Sequence, residues 1–447
     1  MYAGRDPMRK AIVAIVRYEN PVESVRRALD LSHGLDHLPA HAKVFIKPNI
    51  VIWTRKTTFP KWGVITTSRV IEDVVILLKE RGIDHILIGE GTVVHDPKDT
   101  DTCAHAFEAL GYTVLKKRYG VKVINIFERP FKKVDLGEGV VLNFNTDILE
   151  SDFLVNAPVI KTHAQTVVSL GIKNLKGLID IASRKRCHSV DPIKDLHYMV
   201  ARLPTRLVPS LTILDGIYTN ERGPSYDGNA RRSNLLVASA DLLSADMVGA
   251  RLMGYDPSEV PHLVHAAHNQ TRPFDLTDVE VVGERIEDVA SRHEFTFPYN
   301  QDLSLPITME KMGIKGLSYW KYDLTMCTYC SHLNGITLTA IAKAWKGQPW
   351  NDVEVLTGKA MRPTPGKKKT ILLGKCMYQA NRDHPDIEEM IAVKGCPPSP
   401  GAIEEALRRA GIEVEPAMTG YMDTHLGLFM RRYERRPEFD ESFFKIV

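Results

Sequence analysis

The chain has 447 residues, 44% of them hydrophobic and 25% charged, with a formal net charge of +3. That length exceeds what one hydrophobic core usually serves, so two or three domains are expected in an ordinary folded protein. The small net charge leaves no electrostatic footprint for nucleic acid, and no apolar run is long enough to span a bilayer.

The opening MYAGRDPMRK is followed by six apolar residues, 11–16, too few for a secretory signal, and a cytoplasmic protein is expected. Residues 11–16 read as a strand, and 21–32 as a helix with Val22, Val25, Ala28 and Leu29 on one side. The next strand, 43–46, stops at Lys47-Pro48-Asn49, where proline turns Lys47 and Asn49 toward the strand's carboxyl end. Ser68 is placed to cap a helix to residue 81, and Gly82 to end it. Strand 85–88 then leads into Gly89-Glu90-Gly91. A helical stretch at 101–111 and a strand at 121–126 continue the rhythm, which is that of an α/β fold, a mainly parallel sheet with helices on both faces. Gly89-Glu90-Gly91 lacks the third glycine of a dinucleotide fingerprint, so Glu90 at a strand end is the informative residue.

Strand 153–155 runs into NAPVIKTHAQTVVSLGIKNLKGLI, residues 156–179. Pro158 is expected to end the strand and leave Lys161 and His163 on a loop, free to converge with Lys47, Asn49 and Glu90. Lys173, Asn174 and Lys176 lie between Gly171 and Gly177, and lysines grouped in this way suit the carboxylate or phosphate of a small anionic ligand. The bland alternative is surface lysines and a histidine bonded to backbone. In the first reading Lys161 and Lys173 are electrostatic clamps, His163 is a general acid or base, and Glu90 or Asp215 is an orienting carboxylate. Lys47, Asn49, Asn174, Lys176 and His188 complete the ligand contacts.

Strand 211–214 is expected to end at Asp215, a loop to follow at 220–224, and strand 235–239 to lead into a helix at 244–253. Asp246 in that helix's first turn reads as a dipole-matching cap or a ligand. His262, His265 and His268 recur every three residues, as partly exposed histidines or a metal triad.

The series Ile46-Lys47-Pro48-Asn49, Gly89-Glu90-Gly91, Lys161-Thr162-His163, Lys173-Asn174-Leu175-Lys176-Gly177, Asp215-Gly216, Gly223-Pro224 and Ala245-Asp246 resembles the domain of unknown function 362 family over residues 43–283. The resemblance implies an iron-sulfur member, since many carry cluster-binding cysteines, often in a ferredoxin-like segment. This chain lacks a ferredoxin's compact double Cys-x-x-Cys-x-x-Cys repeat.

The pattern changes near residue 290, dividing the chain into an α/β domain (1–290), a connector (291–320) and a smaller α/β domain (321–447). Cys327 and Cys330 precede a helix at 336–345, strand 369–373 delivers Cys376, and strand 391–393 delivers Cys396. Spacings of two, forty-five and nineteen intervening residues suit one [4Fe-4S] cluster, with structural zinc or a redox dithiol as alternatives. Gly395-Cys396-Pro397-Pro398 before a helix at 401–409 is similar to the last cluster ligand of the small electron-transfer subunit in respiratory NADH dehydrogenases and nickel-iron hydrogenases. Cys103 reads as core. Basic clusters at Lys367, Lys368 and Lys369 and at Arg431, Arg432, Arg435 and Arg436 read as solvated surface, or as a dock for an acidic partner.

Together these features describe an iron-sulfur oxidoreductase or reductive activation factor acting on an anionic small molecule or partner cofactor. Two alternatives stand beside it: an electron-transfer or assembly protein serving a redox partner, and a redox-inactive, metal-dependent isomerase with structural zinc. Nothing in the sequence selects a flavin or an oligomeric state.

Overall fold

Strands buried on both faces read as continuous apolar runs, and Val44–Pro48, Phe153–Ala157 and most of Ile86–Glu90 are of this kind. They form the middle of a large sheet in the computed structural model, which describes residues 10–93, 99–415 and 425–446. Residues 1–9 of the opening segment lie outside that range. The chain divides into two units. The first comprises Met1–Ser183, His197–Thr296 and Phe429–Val447, the second Arg184–Leu196 and Phe297–Leu428.

The first unit contains β1 (Ala11–Arg17), β2 (Val44–Pro48), β3 (Ile86–Glu90), β4 (Lys122–Asn125), β5 (Phe131–Asp135), β6 (Val141–Asn145), β7 (Phe153–Ala157), β8 (Val159–His163), β9 (Val167–Ser169), β10 (Ser210–Glu221), β11 (Asn229–Ser239) and β12 (Val279–Gly283). Ten of these make one mostly parallel sheet in the order β12-β1-β11-β10-β7-β2-β3-β4, with β8 joined to β10 and to β9. β5 and β6 form a separate antiparallel hairpin. Register at the centre sets Lys47 beside Asn156 and Pro48 beside Ala157, so polar residues of neighbouring strands leave the sheet at the same carboxyl edge.

The second unit has β13 (Leu317–Tyr319), β14 (Val353–Leu356), β15 (Lys369–Leu373) and β16 (Glu389–Val393), all parallel and in sequence order. Its core joins Ile336 and Ile341 of the helix Thr328–Ala344, Val353, Val355 and Ile371 of the sheet, and Ile403 and Leu407 of the helix Pro400–Arg409. Burying such aliphatic side chains contributes about 1.5–3 kcal/mol each.

Several local expectations are corrected. Pro158 does not release its segment from the sheet. It sits in the one-residue gap between β7 and β8, where its missing N–H costs no ladder bond, and its carbonyl accepts from Asp215 N at 2.8 Å. Asp215 is not at a strand end, because β10 continues to Glu221 through an irregularity near Gly216. Ser68 is the first helical residue rather than the cap, since Asp215 Oδ2 takes the Thr67 N–H at 2.7 Å. Asp241, not Asp246, caps the helix Leu242–Leu252 by accepting from Ser244 N. The helix Tyr112–Tyr119 and the β5–β6 hairpin add to the elements expected from sequence.

The last segment closes the first unit. Trp62 packs on Tyr433 and Phe439 with ring centroids 5.2 and 5.4 Å away, Tyr433 Oη accepts from Ala230 N, and Phe444 is fully buried. Arg432 donates to the carbonyls of Asp227 and Gly228, and Arg436 pairs with Glu438, so part of the basic tail serves its own unit.

Candidate functional site

The carboxyl ends of β2, β3, β7 and β8 gather a buried polar network in the first unit. Lys47 Nζ donates to Glu90 Oε2 and to Pro48 O, each at 2.6 Å, with Lys47 wholly buried and Glu90 nearly so. Glu90 also accepts from Ile50 N at 2.9 Å and Gly91 N at 2.8 Å. Burying an ion pair is costly unless its other hydrogen-bonding groups are also met, and Glu90 accepts from three donors here. Gly177 lies over the pair, where a Cβ would come within 2.6 Å of Lys47 Cε. Gly89 is needed for packing rather than for phosphate, since a Cβ there would meet the Phe45 ring at 2.3 Å.

A second chain of bonds begins at Lys161. Its Nζ donates to Asn49 Oδ1 at 2.6 Å and to Val64 O at 2.7 Å. Asn49 donates to Asn174 Oδ1, Asn174 to Asn156 Oδ1, and Asn156 to Gly171 O. Asp246 then takes both Gly171 N and Ile172 N, at 2.7 and 2.8 Å, fixing the backbone that opens the Gly171–Asn174 turn.

Burial dominates the electrostatics. It pulls the Lys161 ammonium down to about 7, with Glu90 opposing and Lys47 reinforcing that shift. It pushes Asp246 up to about 7 and Asp215 up to about 6, although backbone N–H groups hold both carboxylates the other way. Such an amine is part neutral near pH 7 and can accept a proton.

Of the residues read from sequence, the network joins Lys47, Asn49, Glu90, Lys161 and Asn174. His163 and Lys173 are half-buried, and His163 Nδ1 accepts from Gln165 N. Lys176 is buried and Asp215 serves the Thr67 turn. His188 belongs to the second unit, its Nδ1 2.9 Å from Leu324 O. The structure adds Asn156 and the Val64 carbonyl, which sequence pattern does not disclose. His262 is fully buried at 6.1 Å from the parallel His197 ring, and burial drives it well below the usual histidine range.

In the second unit, the loops beyond β13, β15 and β16 bring four cysteines together. Cys327 is the N-cap of the helix Thr328–Ala344, Cys330 lies in its first turn, and Cys376 lies in the first turn of the helix Lys375–Asn381. Helix N-termini favour the thiolate form. A hydrogen bond with Cys327, then burial, push the Cys330 thiol up, and Cys376 and Cys396 act on it at longer range. Lys185 Nζ lies 3.3 Å from the exposed Cys396 Sγ and 5.1 Å from the Tyr329 ring centre. Lys359 and Lys185 oppose the burial that raises Cys376. The donor set of four thiols with cationic neighbours fits a group that carries negative charge. Among the described residues no group of three or more His, Cys, Asp or Glu side chains is placed to hold a single metal ion. Cys103 is buried in the first unit, in the helix Asp101–Ala109.

Among the described residues no helix is long and apolar enough to cross a membrane. A thylakoid-associated protein of Synechocystis sp. is 27% identical over 222 residues, 49% of this chain and 65% of that protein's length. The lactate racemase apoprotein of Thermoanaerobacterium thermosaccharolyticum is similar with a TM-score of 0.32 and 15% identity, over 56% of this chain and 59% of that one. Residues 44–251, which contain the whole network from Lys47 to Asp246, match the family described as a domain of unknown function (DUF362).

Proposed function

We propose that this is an iron-sulfur protein, holding one [4Fe-4S] cluster on Cys327, Cys330, Cys376 and Cys396, and acting as an oxidoreductase or reductive activation factor on an anionic small molecule or partner cofactor. The observation that supports the reading is the approach of the three cysteine-bearing stretches: Lys375 N donates to Gly395 O, Cys330 N donates to Cys327 O, and a Cβ on Gly374 would lie 3.8 Å from Cys330 Sγ. A bound cluster would supply one-electron chemistry. Lys185 and Lys359 would offset its negative charge, and the N-termini of the helices beyond Cys327 and Cys376 would do the same.

The first unit supplies the anion site in this reading. In it the half-buried Asn49, His163 and Lys173 would contact the anion, and the buried Lys161 would accept or return a proton near neutral pH. The Lys47–Glu90 pair joins the ends of β2 and β3.

The test is iron, zinc and acid-labile sulfide analysis of protein purified without oxygen, with electron paramagnetic resonance after dithionite reduction. About four irons and four sulfides per chain, lost in Cys327→Ala and Cys396→Ala, are expected. Stoichiometric zinc without iron withdraws the redox function. Turnover surviving in both Lys161→Ala and His163→Ala withdraws the anion site.

A further inference from the structure

The cysteine site has an exposed edge, and that edge is basic. Cys396 is exposed, Cys376 is half-buried, and Lys375 and Lys394, next to and two residues before these cysteines, are both exposed. Lys375 N donates to Gly395 O, which ties the two cysteine loops together and brings the two lysine backbones to one rim. Lys394 Nζ rests 4.4 Å from the Tyr378 ring centre, and among the described residues neither ammonium pairs with a carboxylate. Lys185 and Lys359 continue the rim, with Lys359 Nζ holding the carbonyls of Lys185 and His188. In the loop that follows, Val190 is 61% and Ile193 74% exposed, which adds apolar contact area beside the charge.

Exposed lysines around a redox centre raise the local concentration of an oppositely charged protein and orient it, an effect on association rate more than on affinity. Exposed aliphatic side chains supply the short-range contact that a transient complex needs. We propose that this rim, Lys185, Lys359, Lys375 and Lys394 with Val190 and Ile193, is the docking surface for an acidic one-electron carrier protein of the ferredoxin or flavodoxin class. The proposal rests on the iron-sulfur reading above and adds the partner. In the encounter the reduced carrier is oxidised by one electron, and that electron passes to the bound cluster. No bond is made or broken and no proton is transferred.

The experiment mixes cluster-loaded protein with a reduced plant-type ferredoxin in a stopped-flow spectrometer across a range of salt concentrations. The second-order rate constant should fall steeply with ionic strength. The double variant Lys375→Glu, Lys394→Glu should lose about tenfold or more at low salt and become nearly salt-independent. Iron content and the paramagnetic spectrum should stay as in the parent, and reduction by methyl viologen radical cation should not slow. A parent rate indifferent to salt, or a double variant as fast as the parent, overturns the docking surface while leaving the cluster in place. An equal loss with dithionite, a small anion, overturns it in favour of a simple anion-attracting patch. A parent protein that binds no iron overturns both readings, and the metal analysis separates that case from the others.

Discussion

Replacing Lys161 by methionine isolates the electrostatics of the buried network. The ammonium sits at about 7 in the folded protein against an ordinary 10.5, with burial as the main cause. Since the folded value is the lower one, the unfolded chain binds a proton between those limits that the native chain does not. Stability from this residue therefore rises as pH climbs through about 7 toward 10.5, and below 7 the fold carries the full burden of a buried charge. At about 1.4 kcal/mol per pH unit the whole interval amounts to roughly 5 kcal/mol, and about 3 kcal/mol of it falls between pH 7 and 9.5. Methionine fills the same space but leaves Asn49 Oδ1 and Val64 O without their donor, a cost of about 1–3 kcal/mol each that does not change with pH. Unfolding of the first unit can be read by itself through maleimide pulse labelling of the buried Cys103 in a urea series. The parent should gain about 3 kcal/mol on the variant between pH 7 and 9.5. A parent-to-variant difference that stays constant across that window would mean Lys161 keeps one protonation state throughout, and the depressed amine would be refuted.

The same labelling assay tests two neighbours. Gly177→Ala would drive a Cβ to 2.6 Å from Lys47 Cε, so a loss of about 1–3 kcal/mol is expected, and unchanged protection of Cys103 would show that the lysine arm lies elsewhere. Asp246 has a raised folded value, so the stability it contributes is whole below about 3.8 and is lost as pH rises through about 7. Asp246→Asn turns an amide toward one of two N–H donors, costing about 1–3 kcal/mol, and its deficit should be smaller at pH 8 than at pH 5. If the cluster is present, Lys185→Gln removes a cation from beside Cys396 and should lower the midpoint potential by about 59 mV, a tenfold change in a one-electron equilibrium, in a titration followed by paramagnetic resonance.

The alternation of strands and helices is legible in the sequence because fully buried parallel strands write themselves as apolar runs, as in residues 44–46 of β2. Lys47 and Glu90 are legible for a related reason, since a charge closing such a run is costly to bury without a partner and so points to one. β8 is not legible, because Pro158 signals a break and the ladder's tolerance of it depends on the partner strand β10. Asn156 and the Val64 carbonyl are hidden in two different ways. An asparagine inside an apolar strand gives no hint of its partner, and a backbone acceptor leaves no mark in the sequence at all. Asp246 misleads because its short-range context, a helix start, is real, while its bonds run to a segment about 75 positions earlier.

The return of residues 429–446 to the first unit gives synthesis an order. The polypeptide leaves that unit after Thr296, makes most of the second, and only then supplies Tyr433, Phe439 and Phe444 to the aromatic group around Trp62 and Tyr218. On the ribosome, the first unit must wait with Trp62 and Tyr218 uncovered while well over a hundred further residues emerge. A message cut short within the second unit would yield a product whose first unit never acquires its closing aromatic cover, leaving an apolar surface by which quality control can recognise it.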